Sequence, residues 1–130
     1  EEWMATLRAN TVAPLQVAEQ LLDLLRPGGI IVNMSSRLGS IAENDATDSW
    51  AYRASKAALN MVTRSLAVEL AARGITVVSL TPGWVRTDMG GPSALLSPQE
   101  SVAALRQVIG RLTLADSGRF FNHEGKELPW

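Results

Sequence analysis

Two short β-branched runs, Ile30-Ile31-Val32-Asn33-Met34 and Ile75-Thr76-Val77-Val78-Ser79-Leu80, stand on either side of a long helical pattern, and that order leaves few folds open. The first run is bounded by glycines and serines and reads as a largely buried strand. Strand, helix, strand implies parallel pairing, because a helical crossover returns the chain to the same end of the sheet. Ligands in such sheets collect beyond the carboxyl ends of the strands. Ser35-Ser36 leave the first strand at that end, and Thr81-Pro82-Gly83 leave the second. Serines in such places are ordinarily turn formers. A third short strand is expected at Arg119-Phe120-Phe121, after the Asp116-Ser117-Gly118 turn, with Asn122 to Trp130 forming a turn and an apolar terminus.

The helices follow from spacing. Apolar residues recur every three or four positions from Trp3 to Leu25, as a one-sided helix requires. Pro14 lies inside that helix, has no N–H to give, and crowds the carbonyl of Asn10. On residue types alone this is a kink whose freed oxygen takes a water. Pro27-Gly28-Gly29 ends the helix. The next helix, Trp50 to Arg73, has Ser49 in the N-cap position and Gly74 where a left-handed C-terminal cap is expected. Its apolar residues cover most of the circumference, which predicts burial on more than one side, with one side on the sheet and another on a partner subunit. Ser97-Pro98-Gln99-Glu100 is a capping box opening a helix to about Ile109. Between these elements, the polar run Arg37–Ser49 is long enough to reach over the sheet edge and line a site. Trp84–Leu96, with Gly90-Gly91-Pro92 and the apolar Trp84 and Met89, has the composition of a mobile lid over an apolar substrate.

Composition bounds the remaining choices. A chain of 130 residues, 46% apolar and 19% charged, is sized for one globular domain, residues 1–130. A net charge of -1 without a basic patch argues against nucleic acid as a partner. No uncharged segment has the length to span a bilayer, and Glu1–Asn10 is acidic and helix-like, unlike a basic leader. A soluble, cytoplasmic protein is expected. With no cysteine and a single histidine, His123, no metal cluster is expected either.

The chemistry-bearing pattern is on the central helix. It holds the only tyrosine, Tyr52, and four residues later one of two lysines, Lys56. Positions four apart share a helix face, so phenol and ammonium can act as one acid/base unit. A neighbouring cation favours the phenolate and brings a tyrosine toward a pH where it exchanges protons usefully. The spacing alone is common on helix surfaces, so context decides.

That context is the order of four motifs: Asn10-x-x-x-Pro14 on a helix, IVNMSS at a strand end, Tyr52-Arg53-Ala54-Ser55-Lys56 opening the next helix, and TPGWVRTDM after the following strand. Together they closely resemble the short-chain dehydrogenase/reductase family. The likeness covers essentially the whole chain, and YRASKAALNMVTRSLAVEL, PGWVRTDMGGP and GKELPW look most like its C-factor-like, sniffer-like carbonyl reductases. The resemblance implies an α/β fold, a partial Rossmann-like doubly wound sheet of about three parallel strands. It implies that Tyr52 is the general acid toward a carbonyl and that Lys56 lowers the Tyr52 pKa and holds the nicotinamide ribose. Ser36, in preference to Ser35, would hydrogen-bond the substrate oxygen. The Asn10 carbonyl would hold a water that relays protons from Lys56. Pro82, Gly83 and Val85 would shape the nicotinamide pocket, Thr87 would bond the cofactor, and Trp84 and Met89 would cover a small carbonyl or alcohol substrate.

No glycine-rich phosphate turn occurs in the chain: neither Gly28-Gly29 nor Gly90-Gly91 has the spacing or the strand-to-helix placement. The resemblance is therefore to the C-terminal catalytic half of such an enzyme, and the choice between NAD and NADP is not encoded in these residues. Half a sheet leaves one edge of the first strand unpaired, so the chain alone is expected to be poorly soluble or tightly self-associated. Two functions fit: the catalytic half of a nicotinamide-dependent oxidoreductase, or a non-catalytic dimerisation or regulatory module. Homo-oligomers would form through the Trp3–Leu25 and Trp50–Arg73 helices.

Overall fold

The computed structural model describes residues 1–130. Strands β1 (Ile30–Met34), β2 (Thr76–Leu80) and β3 (Phe120–Phe121) form one sheet in the order β1-β2-β3. Both pairings are parallel, with Ile30 opposite Thr76, Met34 opposite Leu80 and Leu80 opposite Phe121. The β1-to-β2 crossover carries the long helix α3 (Trp50–Leu70), as the strand–helix–strand order requires. The β2-to-β3 crossover carries the helix Pro98–Arg111.

Side chains alternate across a strand, so β2 feeds two cores. Val77 joins Leu66, Ala67 and Leu70 of α3 on one face, with Leu15 and Ala18 packed against them. Val78 and Leu80 point the other way, to Val108 and Phe121. Helices on both faces make the sheet doubly wound. Every residue of β2 is buried, because it has a strand on each side and a helix layer on each face. Strand β1 differs from the expectation: only Asn33 is buried and Met34 is exposed. Its outer edge has no strand beside it.

The N-terminal helical stretch is not one regular helix. It divides into α1 (Glu2–Leu7), a π-helical turn Arg8–Val12 and α2 (Ala13–Leu21), followed by a 3₁₀ turn Leu22–Leu24. Pro14 falls in the first turn of α2, where its missing N–H is tolerated. The ladder slips by one residue just before it, with the Ala13 N–H donating to the Arg8 carbonyl. Such bulges relieve a helix that cannot continue its regular bonding. The last helix, which becomes α4, opens on the expected reciprocal cap: the Glu100 N–H donates to Ser97 Oγ (3.1 Å) and the Ser97 N–H to Glu100 Oε2 (2.7 Å). It ends at Arg111, two residues beyond the expected end.

Two further expectations are corrected. Ser49 precedes α3 but sits in the left-handed region at φ 54° and makes no side-chain cap. The turn is instead held from inside the helix, by Arg53, which donates to the Asp48 carbonyl (2.9 Å), Asp48 Oδ1 (2.9 Å) and Asn44 Oδ1 (3.0 Å). Helix α3 buries a single face, through Ser55, Leu59, Thr63, Leu66 and Leu70, while Met61 and Val68 are exposed on the other. The sheet can cover only one side of a cylinder.

Beneath the sheet, the Thr63 hydroxyl joins α3 to two strands. It accepts from Asn33 Nδ2 (2.9 Å) and Ser79 Oγ (2.8 Å) and donates to the Leu59 carbonyl (3.1 Å), which uses its full bonding capacity. Thr63→Val keeps the shape and orphans the Asn33 and Ser79 donors, each at about 1–3 kcal/mol. Urea unfolding is expected to show a lower midpoint at unchanged slope.

Candidate active site

Tyr52 and Lys56 lie in the first two turns of α3, which begins where the Arg37–Ser49 loop returns to the carboxyl ends of the strands. Both are half-buried. The Lys56 ammonium lies 5.8 Å from the centre of the Tyr52 ring and donates to the carbonyl of Met34, the last residue of β1, at 3.0 Å. One helical turn and one strand end thus fix the pair. Burial holds the Lys56 pKa below its ordinary value of 10.5. An ammonium has three donors, so two are open to other partners.

The π turn is docked against this pair. Asn10 Nδ2 donates to Ser55 Oγ (3.1 Å), Thr11 Oγ1 donates to the Ser55 carbonyl (2.9 Å), and Ser55 Oγ donates to the Tyr52 carbonyl (2.7 Å). Ser55 is fully buried, one residue before Lys56. The sequence reading passed over Ser55, although a small hydroxyl beside a lysine on a helix is the kind of group that can knit two helices. Its reading of Asn10 concerned the main-chain carbonyl; the side chain is also engaged. Gly39 is a second omission. A Cβ there would lie 2.8 Å from Lys56 Cβ and 2.9 Å from its carbonyl carbon, so only glycine lets the Arg37–Gly39 turn sit flat on α3 at the lysine.

The two serines after β1 are divided by their bonds. Ser35 is buried and donates to Asn60 Oδ1 at 2.7 Å. Ser36 is part-exposed, and its Oγ accepts from the Leu38 N–H at 3.1 Å, capping the short turn. Its own O–H remains free to donate.

A cleft of about 950 Å³ is bounded by the π turn, the start of α3 and the β2 end. It brings together Asn10, Tyr52, Lys56, Pro82 and Met89, with Ser35 and Met34. Ser36, Gly83, Trp84, Val85 and Thr87 are not in its wall. The segment Trp84–Leu96 closes on itself: Val85 bridges Leu96, Trp84 Nε1 donates to the Gly90 carbonyl (2.7 Å), and Thr87 Oγ1 accepts from the Gly90 N–H (3.1 Å). Met89 stands out from it, 86% exposed. Gly83 adopts φ 79°, and a Cβ there would meet Leu96 and His123.

A doubly wound parallel sheet with a tyrosine and a lysine at its carboxyl edge is an α/β arrangement of the class that binds ligands beyond its strand ends. A family model described as enoyl-(acyl carrier protein) reductase matches residues 1–119. C-signal of Myxococcus xanthus is 45% identical over 127 residues, covering 96% of this chain and 76% of that protein. The solved structure of carbonyl reductase Sniffer of Drosophila melanogaster superposes with a TM-score of 0.95 at 44% identity, over 99% of this chain and 57% of that one. The NADPH-bound carbonyl reductase from chicken fatty liver gives 0.86 at 36% identity, over 98% and 57%. The chain belongs to the short-chain dehydrogenase/reductase family, whose members are oxidoreductases using NAD(P). It spans little more than half the length of the two solved relatives. No helix is long and apolar enough to cross a membrane.

Because burial lowers the Lys56 pKa, the unfolded chain binds that proton more tightly than the folded one. The contribution of Lys56 to stability therefore rises as pH climbs through the folded pKa and is complete above 10.5. Urea unfolding from pH 8 upward is expected to show this rise in the wild type relative to Lys56→Met, and parallel curves would contradict it.

Proposed function

We propose that this chain is the catalytic half of an NAD(P)-dependent carbonyl reductase or alcohol dehydrogenase, with Tyr52 as the proton donor. The observation that carries the reading is the placement of Tyr52 and Lys56 in one cleft, with the lysine bonded to the end of β1. The donor set suits the nicotinamide end of a dinucleotide: Lys56, with two donors beyond its bond to Met34, and Tyr52 line a cleft large enough to admit it. Pro82, Gly83, Val85 and Thr87 are assigned to its surroundings on family likeness. When bound, the nicotinamide supplies the hydride.

The chain's own groups supply the rest. The Tyr52 hydroxyl gives its proton to the carbonyl oxygen as negative charge develops there, and takes it back in the reverse direction. Lys56 stabilises the resulting phenolate by its charge and orients the cofactor ribose. Ser36, whose O–H is uncommitted, is assigned on family likeness to donate to the same substrate oxygen. The Asn10 carbonyl, in the slipped ladder of the π turn, holds the water through which Lys56 regains its proton. Met89, exposed in the cleft wall, covers an apolar aldehyde or ketone, and Trp84 is assigned beside it on family likeness.

The dinucleotide-binding half completes the protein against β1. An apolar groove of about 570 Å³ runs along this strand between Ala13, Val17 and Leu21 of α2 and Ile30 and Val32 of β1. A parallel sheet buried on both faces ordinarily has no such open flank. Homo-oligomers form through the outer faces of the α1–α2 stretch and α3, where Met4, Met61 and Val68 are exposed. We assign the protein to the cytoplasm.

In the protein carrying both halves, Tyr52→Phe is expected to lower carbonyl reduction by about 10²–10⁴-fold, the usual worth of a general acid, with NADPH affinity nearly unchanged. Steady-state rates and a fluorescence titration read the two effects separately, and turnover near wild type would overturn the assignment. Sedimentation is expected to show an oligomer that Met61→Asp with Val68→Asp dissociates; a monomeric wild type would remove the proposed interface.

A further inference from the structure

The Arg37–Ser49 loop follows Ser35-Ser36 and leads to Ser49, Trp50 and Tyr52, and Ser35 on one side and Ser49, Trp50 and Tyr52 on the other line the cleft. It contains a single short turn of regular structure, Arg37–Gly39, is tied within itself by the Arg37–Glu43 ion pair and at its far end by Arg53, and takes its remaining contacts from outside. Those contacts come from a distant stretch of chain. Ser40 Oγ donates to the Pro129 carbonyl at 2.7 Å and accepts from the Glu43 N–H at 3.2 Å, and the Ile41 N–H donates to the Trp130 carbonyl. Ser40 is 2% exposed, so these bonds are made out of water, where losing a partner leaves an orphan.

The stretch that reaches the loop is rigidly built. Phe121 bridges Glu127 in antiparallel fashion, and Asn122 closes the turn between them, its Oδ1 accepting from the N–H groups of Glu124 and Lys126, both at 2.9 Å. The Leu128 N–H donates to the Phe120 carbonyl (2.8 Å), and the Trp130 indole stacks on Phe120 with ring centres 5.5 Å apart and planes 15° from parallel. Phe120 is fully buried in the sheet. The same hairpin also touches the chain after β2: the His123 ring lies against Gly83, where a Cβ would stand 2.8 Å from His123 Nδ1, one residue beyond Pro82 of the cleft wall.

We propose that the Phe120–Trp130 hairpin is a strap that fixes the Arg37–Ser49 loop at Ser40 and Ile41, with Ser40 and Trp130 as positioning residues for the path of the chain from Ser35 to Ser49, Trp50 and Tyr52 in the cleft. The strap is tied to β3 by Phe120, carried past Gly83 by the Asn122–Lys126 turn, and fastened to the loop at Ser40 and Ile41. It acts on substrate through the loop and touches none of the reacting atoms. Its bearing on substrate rests on the reductase reading above, whereas its hold on the loop does not.

Amide hydrogen exchange followed by mass spectrometry tests the strap in the protein carrying both halves. Ser40→Ala and Trp130→Ala are expected to speed exchange at Ile41–Asn44 by about tenfold, while Val77–Leu80 in the sheet keeps its protection. Trp130→Phe, which keeps an aromatic stack on Phe120, is expected to restore most of the protection. With a carbonyl substrate in hand, Ser40→Ala is expected to raise KM by about fivefold at a kcat within twofold of wild type, a split that general destabilisation does not produce. Unchanged exchange at Ile41–Asn44 in both alanine variants overturns the strap, as does acceleration that extends equally to Val77–Leu80. Accelerated exchange beside an unmoved KM overturns its bearing on the cleft. Should no carbonyl be reduced at all, the reductase reading fails and the exchange rates still decide the strap.

Discussion

The docking of the π turn on Ser55 is the contact on which the site depends. Pro14 cannot continue a regular ladder, so the helix slips by one residue over Arg8–Val12. The widened turn presents Asn10 and Thr11 to α3, where both bond Ser55, and Ser55 in turn bonds the Tyr52 carbonyl. Tyr52 and Lys56 are thereby held on a helix segment fixed from two directions, by the π turn and by the sheet. The defect in the first helix and the order in the third are one feature. A fully regular helix in place of the π turn would turn Asn10 and Thr11 to different bearings, because one residue rotates a helix face by about 100°.

The buried polar groups around this contact serve the same end. Asn33, Thr63 and Ser79 share one hydroxyl beneath the sheet, and Ser35 is tied to Asn60 on the next turn of α3. An all-apolar interface would let α3 slide along the strands at little cost, whereas hydrogen bonds out of water accept one register. That register carries Lys56 to the Met34 carbonyl. Gly39 completes the arrangement by letting the chain after β1 lie against the helix backbone at the same lysine. The division between Ser35 and Ser36 follows: the inward hydroxyl is spent on packing, and the outward one keeps a free O–H.

The open flank of β1 shows the other side of this economy of contacts. Strand β2 has neighbours all round and is wholly buried, while β1 has the same kind of sequence and is mostly half-exposed. Nothing in the composition of the two strands differs enough to explain this; their positions in the sheet do. The chain spans 57% of each of the two solved relatives, and on the function proposed above the absent half would cover this flank.

Sequence alone determined the elements and their order. The strands at Ile30–Met34 and Ile75–Leu80, the Ser97–Glu100 capping box and the left-handed Gly74 all follow from local chemistry, and the structure contains each of them, the second strand beginning one residue later at Thr76. The pairing of Tyr52 with Lys56 was legible for the same reason, because a helix period fixes which residues share a face. Tertiary structure decided whatever depends on residues far apart in the chain. Ser49 lost its capping role because Arg53 organises that turn through side-chain contacts to Asn44 and Asp48, which no local rule encodes. Ser55 and Gly39 went unread because their partners lie on other elements: Ser55 meets the π turn, and Gly39 meets the backbone at Lys56. The apolar residues around α3 could not say which would be covered, since burial is set by what packs against a helix and periodicity shows only what is able to be buried.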